Sequence, residues 1–154
     1  PYAMVELLRT ITLSITQPGK SAATSIPLKD KVHYYGSGIL QNAKTLRVLV
    51  STYSPTREKP WLGENWSTGN RACLKDIRIR LDVYDNDPKR LEQVSAEIET
   101  TIWRNRGYTP TDSTYGRFVN MLFAGGSETK INPALQLFQR TLNVDALWLD
   151  INTY

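Results

Sequence analysis

The sequence predicts an α+β domain with a largely antiparallel sheet of about four to five strands, flanked by an N-terminal helix and a central amphipathic helix. The clearest evidence lies in residues 77–107, where a strand pattern runs directly into a helix pattern. Apolar and polar residues alternate over residues 77–84, which is the period of a strand with one buried face. Further strand-like patterns occur at residues 32–40, 46–53, 118–123 and 139–148.

The central helix has a start signal, an apolar stripe and a stop signal. Asp87 can accept a backbone N–H bond as N-cap, and Pro88 suits the first helical position. Arg104 and Arg106 lie where the helix dipole favours positive charge, and Gly107 predicts a left-handed end. The apolar stripe consists of Leu91, Val94, Ile98 and Ile102.

The N-terminal segment carries two competing patterns. Apolar residues at helical spacing predict an amphipathic helix over residues 2–17. Ile11, Leu13 and Ile15 also alternate with polar residues, which would suit a strand, so residues 10–16 stay open between the two structures. The polar segment from Pro18 to Ser25 predicts a loop in either case.

Two strands at residues 32–40 and 46–53 are expected to form a hairpin, with a connection near residues 41–44. The following segment, at about residues 54–74, contains prolines and glycines without periodicity and predicts a long loop. Its residues Trp61 and Trp66 are candidates for contacts with another chain. The alternative is that both indoles fold back over the core.

The C-terminal strand has apolar residues on both parities. Leu142, Val144, Ala146 and Trp148 alternate with polar residues, whereas Leu147, Leu149 and Ile151 lie on the opposite parity. This end of the chain is therefore expected to be buried on both faces, bulged or covered by a partner. Leu147, Leu149 and Ile151 are candidate contact residues for this reason.

Length and composition predict one domain without a membrane partner. The 154 residues can form one core, and no apolar run approaches the roughly 18 residues of a membrane-spanning helix. The net charge of +4 is too small and scattered to indicate DNA binding by itself. The single cysteine, Cys73, excludes an internal disulfide.

Short motifs give weak signals for chemistry. Gly19-Lys20-Ser21 resembles the end of a phosphate-binding loop, but the leading glycine of that motif is replaced by Ser14, and Pro18 removes an N–H donor. Cys73 has cationic neighbours but no histidine nearby, which favours a structural thiol over a nucleophile. His33 is the sole histidine, so a packed or surface role is favoured over a triad or a metal site.

Three carboxylates, Asp82, Asp85 and Asp87, could in principle gather a divalent cation. Their spacing differs from a calcium loop, and the roles of strand end, turn and helix cap account for all three. We therefore expect no catalytic residue, cofactor or metal. Arg78 and Arg80 are expected to share the polar face of a strand with Lys75, as a positive strip that could contact DNA or an acidic partner.

The order of elements resembles the tail terminator (tail completion) proteins of long-tailed bacteriophages. Residues 77–102, IRIRLDVYDNDPKRLEQVSAEIETTI, are similar to the family's strand, turn and amphipathic helix. Residues 139–148, QRTLNVDALW, resemble its closing strand, and the N-terminal helix leading into a hairpin is the third similar part.

The resemblance implies a structural protein rather than an enzyme. It implies a homo-oligomeric ring, expected to be a hexamer, that caps the tail tube protein, ends tail polymerisation and docks the head-closure or connector protein. DNA would pass through the lumen without sequence-specific binding. The implied location is the tail–neck region of the virion, after assembly in the host cytoplasm.

Two other classes of protein stay open. Another phage neck protein, such as a head-closure protein, is the nearest alternative. A small nucleic-acid-binding module is the other, because cations and aromatic residues on strands are the usual means of binding single strands. An enzyme using Cys73 or the carboxylates of residues 82–87 is not expected.

Overall fold

A computed structural model describes residues 2–16, 23–34, 46–59, 70–111 and 116–153. Two helices lie in these residues, α1 (Tyr2–Leu8) and α2 (Pro88–Arg104). The strands are β1 (Thr12–Thr16), β2 (Ala23–Pro27), β3 (Val32–Tyr34), β4 (Arg47–Lys59), β5 (Asn70–Asp85), β6 (Gly116–Gly126), β7 (Lys130–Asn132) and β8 (Leu137–Thr153).

The strands form a mixed, mostly antiparallel sheet and a separate two-stranded unit. The main sheet has six strands in the order β3-β4-β5-β8-β6, and β7 also pairs with β8. β1 and β2 pair with each other, antiparallel. The α+β class and the largely antiparallel sheet are confirmed, whereas the expected number of four to five strands is too low.

β5 and β8 form the central pair of the sheet. They run antiparallel from Asn70↔Thr153 to Asp85↔Phe138 without a register shift. The strands predicted at residues 77–84 and 139–148 are therefore confirmed, and both extend further. Since β4 reaches Lys59 and β5 begins at Asn70, the predicted loop at about 54–74 is wrong at both ends. Residues 60–69, with Trp61 and Trp66, lie outside the described residues.

The N-terminal segment contains both structures that its sequence suggests. The helix ends at Leu8 and β1 begins at Thr12, so the helix predicted over residues 2–17 is wrong beyond its first half. The Thr10 hydroxyl donates to the Leu7 carbonyl at 2.6 Å, and the β-branched run that follows disfavours a helix. The predicted loop from Pro18 to Ser25 is likewise too long, because β2 begins at Ala23.

The predicted hairpin of residues 32–40 and 46–53 is also wrong. β3 pairs with β4 in parallel, with Val32 beside Val48 and Tyr34 beside Val50. Val32 and Val48 are both fully buried, so this register places them together in the core. Periodicity along each strand shows which residues are buried, but it does not show the direction in which two strands pair.

Helix α2 begins as predicted and ends differently. The Asp87 carboxylate accepts from the Lys89 N–H at 3.0 Å, which confirms the N-cap. The end is formed by Asn105 at φ −118°, whose backbone N–H and side-chain amide both donate to the Thr101 carbonyl. These bonds satisfy a terminal carbonyl without a left-handed residue, so the end predicted at Gly107 is wrong.

One face of the sheet is covered by helix α2 and forms the main core. The predicted stripe of α2 is buried, and the helix packs against strands β5, β6 and β8 and against β1. On the sheet side, this core includes Val48, Val50, Ile79, Leu81, Val83, Phe118, Met121, Leu142 and Val144. The alternate residues of these strands lie on the opposite face, which we call the open face.

Candidate interaction surface

The open face carries Arg78 and Arg80, which lie two residues apart on β5. Both are out of phase with the buried residues Ile79 and Leu81, as the strand period requires. Lys75 has the parity of Ile79, and the unbroken register of β5 keeps that parity, so the expectation that Lys75 shares this face is wrong. The predicted strip therefore consists of the two arginines.

Arg78 forms a bidentate ion pair across the sheet. It lies opposite Asp145 of β8, and its Nε and Nη2 atoms donate to the two carboxylate oxygens at 2.8 and 3.2 Å. The side chains are 54% and 50% exposed. An exposed pair of this geometry contributes little to stability, about 0–1 kcal/mol, and it remains accessible to a partner.

Arg80 contacts a buried carboxylate on its own strand. Its Nε atom lies 2.9 Å from Asp82 Oδ2, and the Asp82 side chain is only 5% exposed. Asp82 Oδ1 also accepts from the Thr141 hydroxyl at 2.7 Å and from the Gln139 amide at 3.3 Å. Three donors, one on the same strand and two on β8, thus compensate the burial of this charge.

The three carboxylates considered as metal ligands lie in separate environments. Asp82 is on the open face, whereas Asp85 is fully buried and Asp87 caps α2. The Arg90 guanidinium donates to both oxygens of Asp85 at 2.6 Å, and this hydrogen bond raises the pKa of Arg90 further. The pair fastens the first turn of α2 to the end of β5.

A shallow groove of about 450 Å³ lies beside the Arg78–Asp145 pair. Its apolar walls are Leu122 of β6 and Leu147 of β8, and Leu122 is 48% exposed. Asn120 adds a polar group on the same side. The open face thus combines an arginine, a carboxylate, an exposed leucine and a half-buried one, a mixture typical of protein–protein contacts.

A bulge in β6 gives this groove its apolar wall. Phe118 pairs with Trp148 and Asn120 with Leu147, so β6 has one extra residue at this point. Phe118 and Met121 are both buried although they are three residues apart, and Leu122 is left exposed on the other parity. The extra residue shifts the phase of the strand and so brings Leu122 to the open face.

The three apolar candidates at the end of β8 have different surroundings. Leu147 lines the groove, whereas Leu149 is buried, with only 8% of its surface exposed. Ile151 pairs with Ala72 of β5, and its side chain lies outside the described residues. β8 keeps its register with β5, so the bulge considered for this end of the chain is absent from that pairing. The register shifts occur where β6 pairs with β8.

Two other candidates from the sequence lie wholly or partly outside the residues that the structure describes. Gly19, Lys20 and Ser21 lie outside the described residues. Cys73 pairs with Asp150 in the β5–β8 ladder, and its side chain is not described.

His33 lies on β3, at the edge of the main sheet. Burial is the main cause that lowers its pKa, and the charges of Arg47 and Arg9 act in the same direction. Its Nε2 atom is buried without a hydrogen-bond partner in the described structure. These surroundings favour a neutral, packed imidazole.

Sequence reasoning missed three contributors to the molecular surface. Leu122 lies within an apolar run, so the sequence does not mark it as exposed. Asp145 is 67 residues from its partner Arg78, so no local pattern connects the two. Trp103 is 67% exposed, and the Arg106 guanidinium lies 3.6 Å from its ring centroid. Trp103 could have been found, because it lies outside the apolar stripe of α2.

Comparison with family models and with curated proteins gives no match for this chain. Within the described residues, neither helix is long and apolar enough to cross a membrane.

Proposed function

We propose that this chain is a structural protein of phage assembly, of the tail terminator type, whose open face takes part in contacts with other protein subunits. The observation that carries the proposal is the exposed groove formed by Leu122, Leu147 and the Arg78–Asp145 pair. The resemblance of residues 77–102 and 139–148 to the tail terminator family supplies the class of assembly.

The groove on the open face suits a protein partner, because its apolar side chains lie directly beside polar ones. A partner that covers Leu122 removes apolar surface from water, which is worth about 25 cal/mol per Å². Arg78 and Asp145 already satisfy each other, so a partner can exclude water there without leaving a charge unpaired. Polar groups of the partner can then set the register of the contact.

A single-stranded nucleic acid is a weaker candidate for this face. Arg78 and Arg80 each contact a carboxylate, Asp145 and Asp82, so the two positive charges are largely compensated. Phosphate binding would require displacing these partners or adding to them. The described open face therefore favours a protein over a phosphate backbone.

The proposed assembly is a ring, expected to be a hexamer, at the end of the tail tube. Its partners are further copies of the chain, the tail tube protein and the head-closure or connector protein, and DNA passes through without base-specific contacts. Closed rings need an interface that repeats head to tail around the symmetry axis. The proposed location is the tail–neck region of the virion.

The test is binding of the purified chain to tail tubes formed by the tube protein of the same genome. We expect electron microscopy to show the chain as rings at tube ends, and we expect Leu122→Glu to abolish this binding. Ile131→Glu is the matched control. Ile131 is 65% exposed, and it pairs with Phe138, a residue that packs on the core side. Ile131 is therefore an exposed apolar residue that lies away from the open face.

Two results would replace the proposal. A chain that ignores tube ends but binds the isolated head connector would be a head-closure protein. A chain that ignores both and binds single-stranded DNA, more weakly as salt rises, would be a nucleic-acid-binding module.

A further inference from the structure

A second surface, on the opposite side of the sheet, combines a cationic aromatic projection with an acidic groove. The projection is Trp103 with Arg106, near the end of α2. The groove lies between α2, the end of β6 with the two residues that follow it, and β8, and it has a volume of about 360 Å³. From these two features we infer that two copies of this chain associate about a two-fold axis, with the Trp103 side chain of each copy in the groove of the other.

The Trp103 side chain is exposed and held in place. It is 67% exposed, and the Arg106 guanidinium lies 3.6 Å from the ring centroid, which is cation–π geometry. A large aromatic side chain that is fixed before binding loses little conformational entropy in the complex. Tryptophan and arginine are also among the residue types enriched at the positions that dominate binding energy.

The groove offers complementary chemistry. Phe123 and Leu142 provide apolar lining, and Glu99 and Glu128 provide carboxylates. Arg140 also lines it, but its Nη1 atom contacts a Glu92 carboxylate oxygen at 2.5 Å. The carboxylates of Glu99 and Glu128 form no ion pair with other described residues, so the groove has an excess of negative charge toward a cationic partner.

The two features are neighbours on one surface. Glu99 and Trp103 are four residues apart on α2 and therefore lie on the same side of the helix. When a projection and its complementary groove lie side by side, a two-fold axis between two copies satisfies both contacts at once. This geometry, together with the opposite charges, identifies a second copy of the chain as the occupant.

The inference goes beyond the proposed function and does not depend on it. The open face lies on the other side of the sheet, so association through α2 leaves the groove lined by Leu122 and Leu147 accessible. Tube binding and self-association can therefore be measured separately, and one can fail while the other succeeds.

The test is sedimentation velocity of the full chain over a concentration range from about 1 μM to 1 mM. We expect reversible dimerisation, and we expect Trp103→Ala to weaken it at least tenfold. Ile131→Ala is the apolar control and Lys89→Glu the charge control, since both residues are exposed and line neither this groove nor the groove on the open face. Both controls should leave the dissociation constant within about twofold.

Charge reversal provides a second, independent measurement. Arg106→Glu or Glu128→Lys alone should weaken association, and the two changes together should restore it toward the wild-type value. Three results would overturn the inference: a wild-type chain that stays monomeric over the whole range, an assembly unchanged by Trp103→Ala, or a double reversal no tighter than either single reversal.

Discussion

The two faces of the sheet contain the same kind of ion pair in opposite surroundings. On the core side, Arg90 and Asp85 are joined by two bonds of 2.6 Å, and the Asp85 side chain is fully buried. On the open face, Arg78 and Asp145 are also joined by two bonds, but both side chains are about half exposed. The two pairs have similar hydrogen-bond geometry and differ mainly in burial. The buried pair therefore stabilises the fold, whereas the exposed pair is accessible to partners.

The largest expected effect is at the buried pair. Asp85→Ala removes the buried carboxylate to which the Arg90 guanidinium donates twice, and we expect the free energy of unfolding to fall by about 3–5 kcal/mol. Urea unfolding followed by circular dichroism measures this change. A loss below about 1 kcal/mol would show that the two ion pairs are energetically equivalent and would remove the contrast between the faces.

A smaller effect is expected at the cap of α2. Asp87→Ala removes the acceptor of the Lys89 N–H and should lower the free energy of unfolding by about 1 kcal/mol. Asp87→Ser is the control, because serine also caps helices and should recover most of the loss. Equal losses in both variants would mean that the carboxylate acts by its charge rather than as a cap.

The exposed pair should contribute still less to stability. Arg78→Ala is expected to change the free energy of unfolding by less than about 1 kcal/mol, because water screens both partners. The same variant should weaken tube binding if the open face is the contact surface. A large loss of stability with unchanged tube binding would reverse the roles assigned to the two faces.

The smallest effect is expected at high pH. Burial and the hydrogen bond to Glu6 raise the pKa of Tyr108 to about 12, above the usual value near 10. The neutral phenol therefore stabilises the fold fully below about pH 10, and this contribution, less than about 1 kcal/mol, is lost between about pH 10 and 12. Unfolding at several pH values should show a steeper decline in the wild type than in Tyr108→Phe, and parallel curves would contradict this.

Local patterns in the sequence predict the elements but not their partners. The cap at Asp87 and the buried stripe of α2 depend on residues within a few positions, so both could be predicted. The parallel pairing of β3 with β4 depends on distant packing, and so does the partner of Arg78. Leu122 was unpredictable for another reason, since one extra residue in β6 changes which side chains face the core.

The long pairing of β5 with β8 also affects how the chain folds. Its paired residues are separated by 53 positions at one end, Asp85 and Phe138, and by 83 at the other, Asn70 and Thr153. Contacts between such distant residues require closure of a large loop before they gain any energy, which places proteins of this topology among the slower folders. During synthesis, the edge of β5 that pairs with β8 has no strand partner until β8 leaves the ribosome, so this central pair must form late.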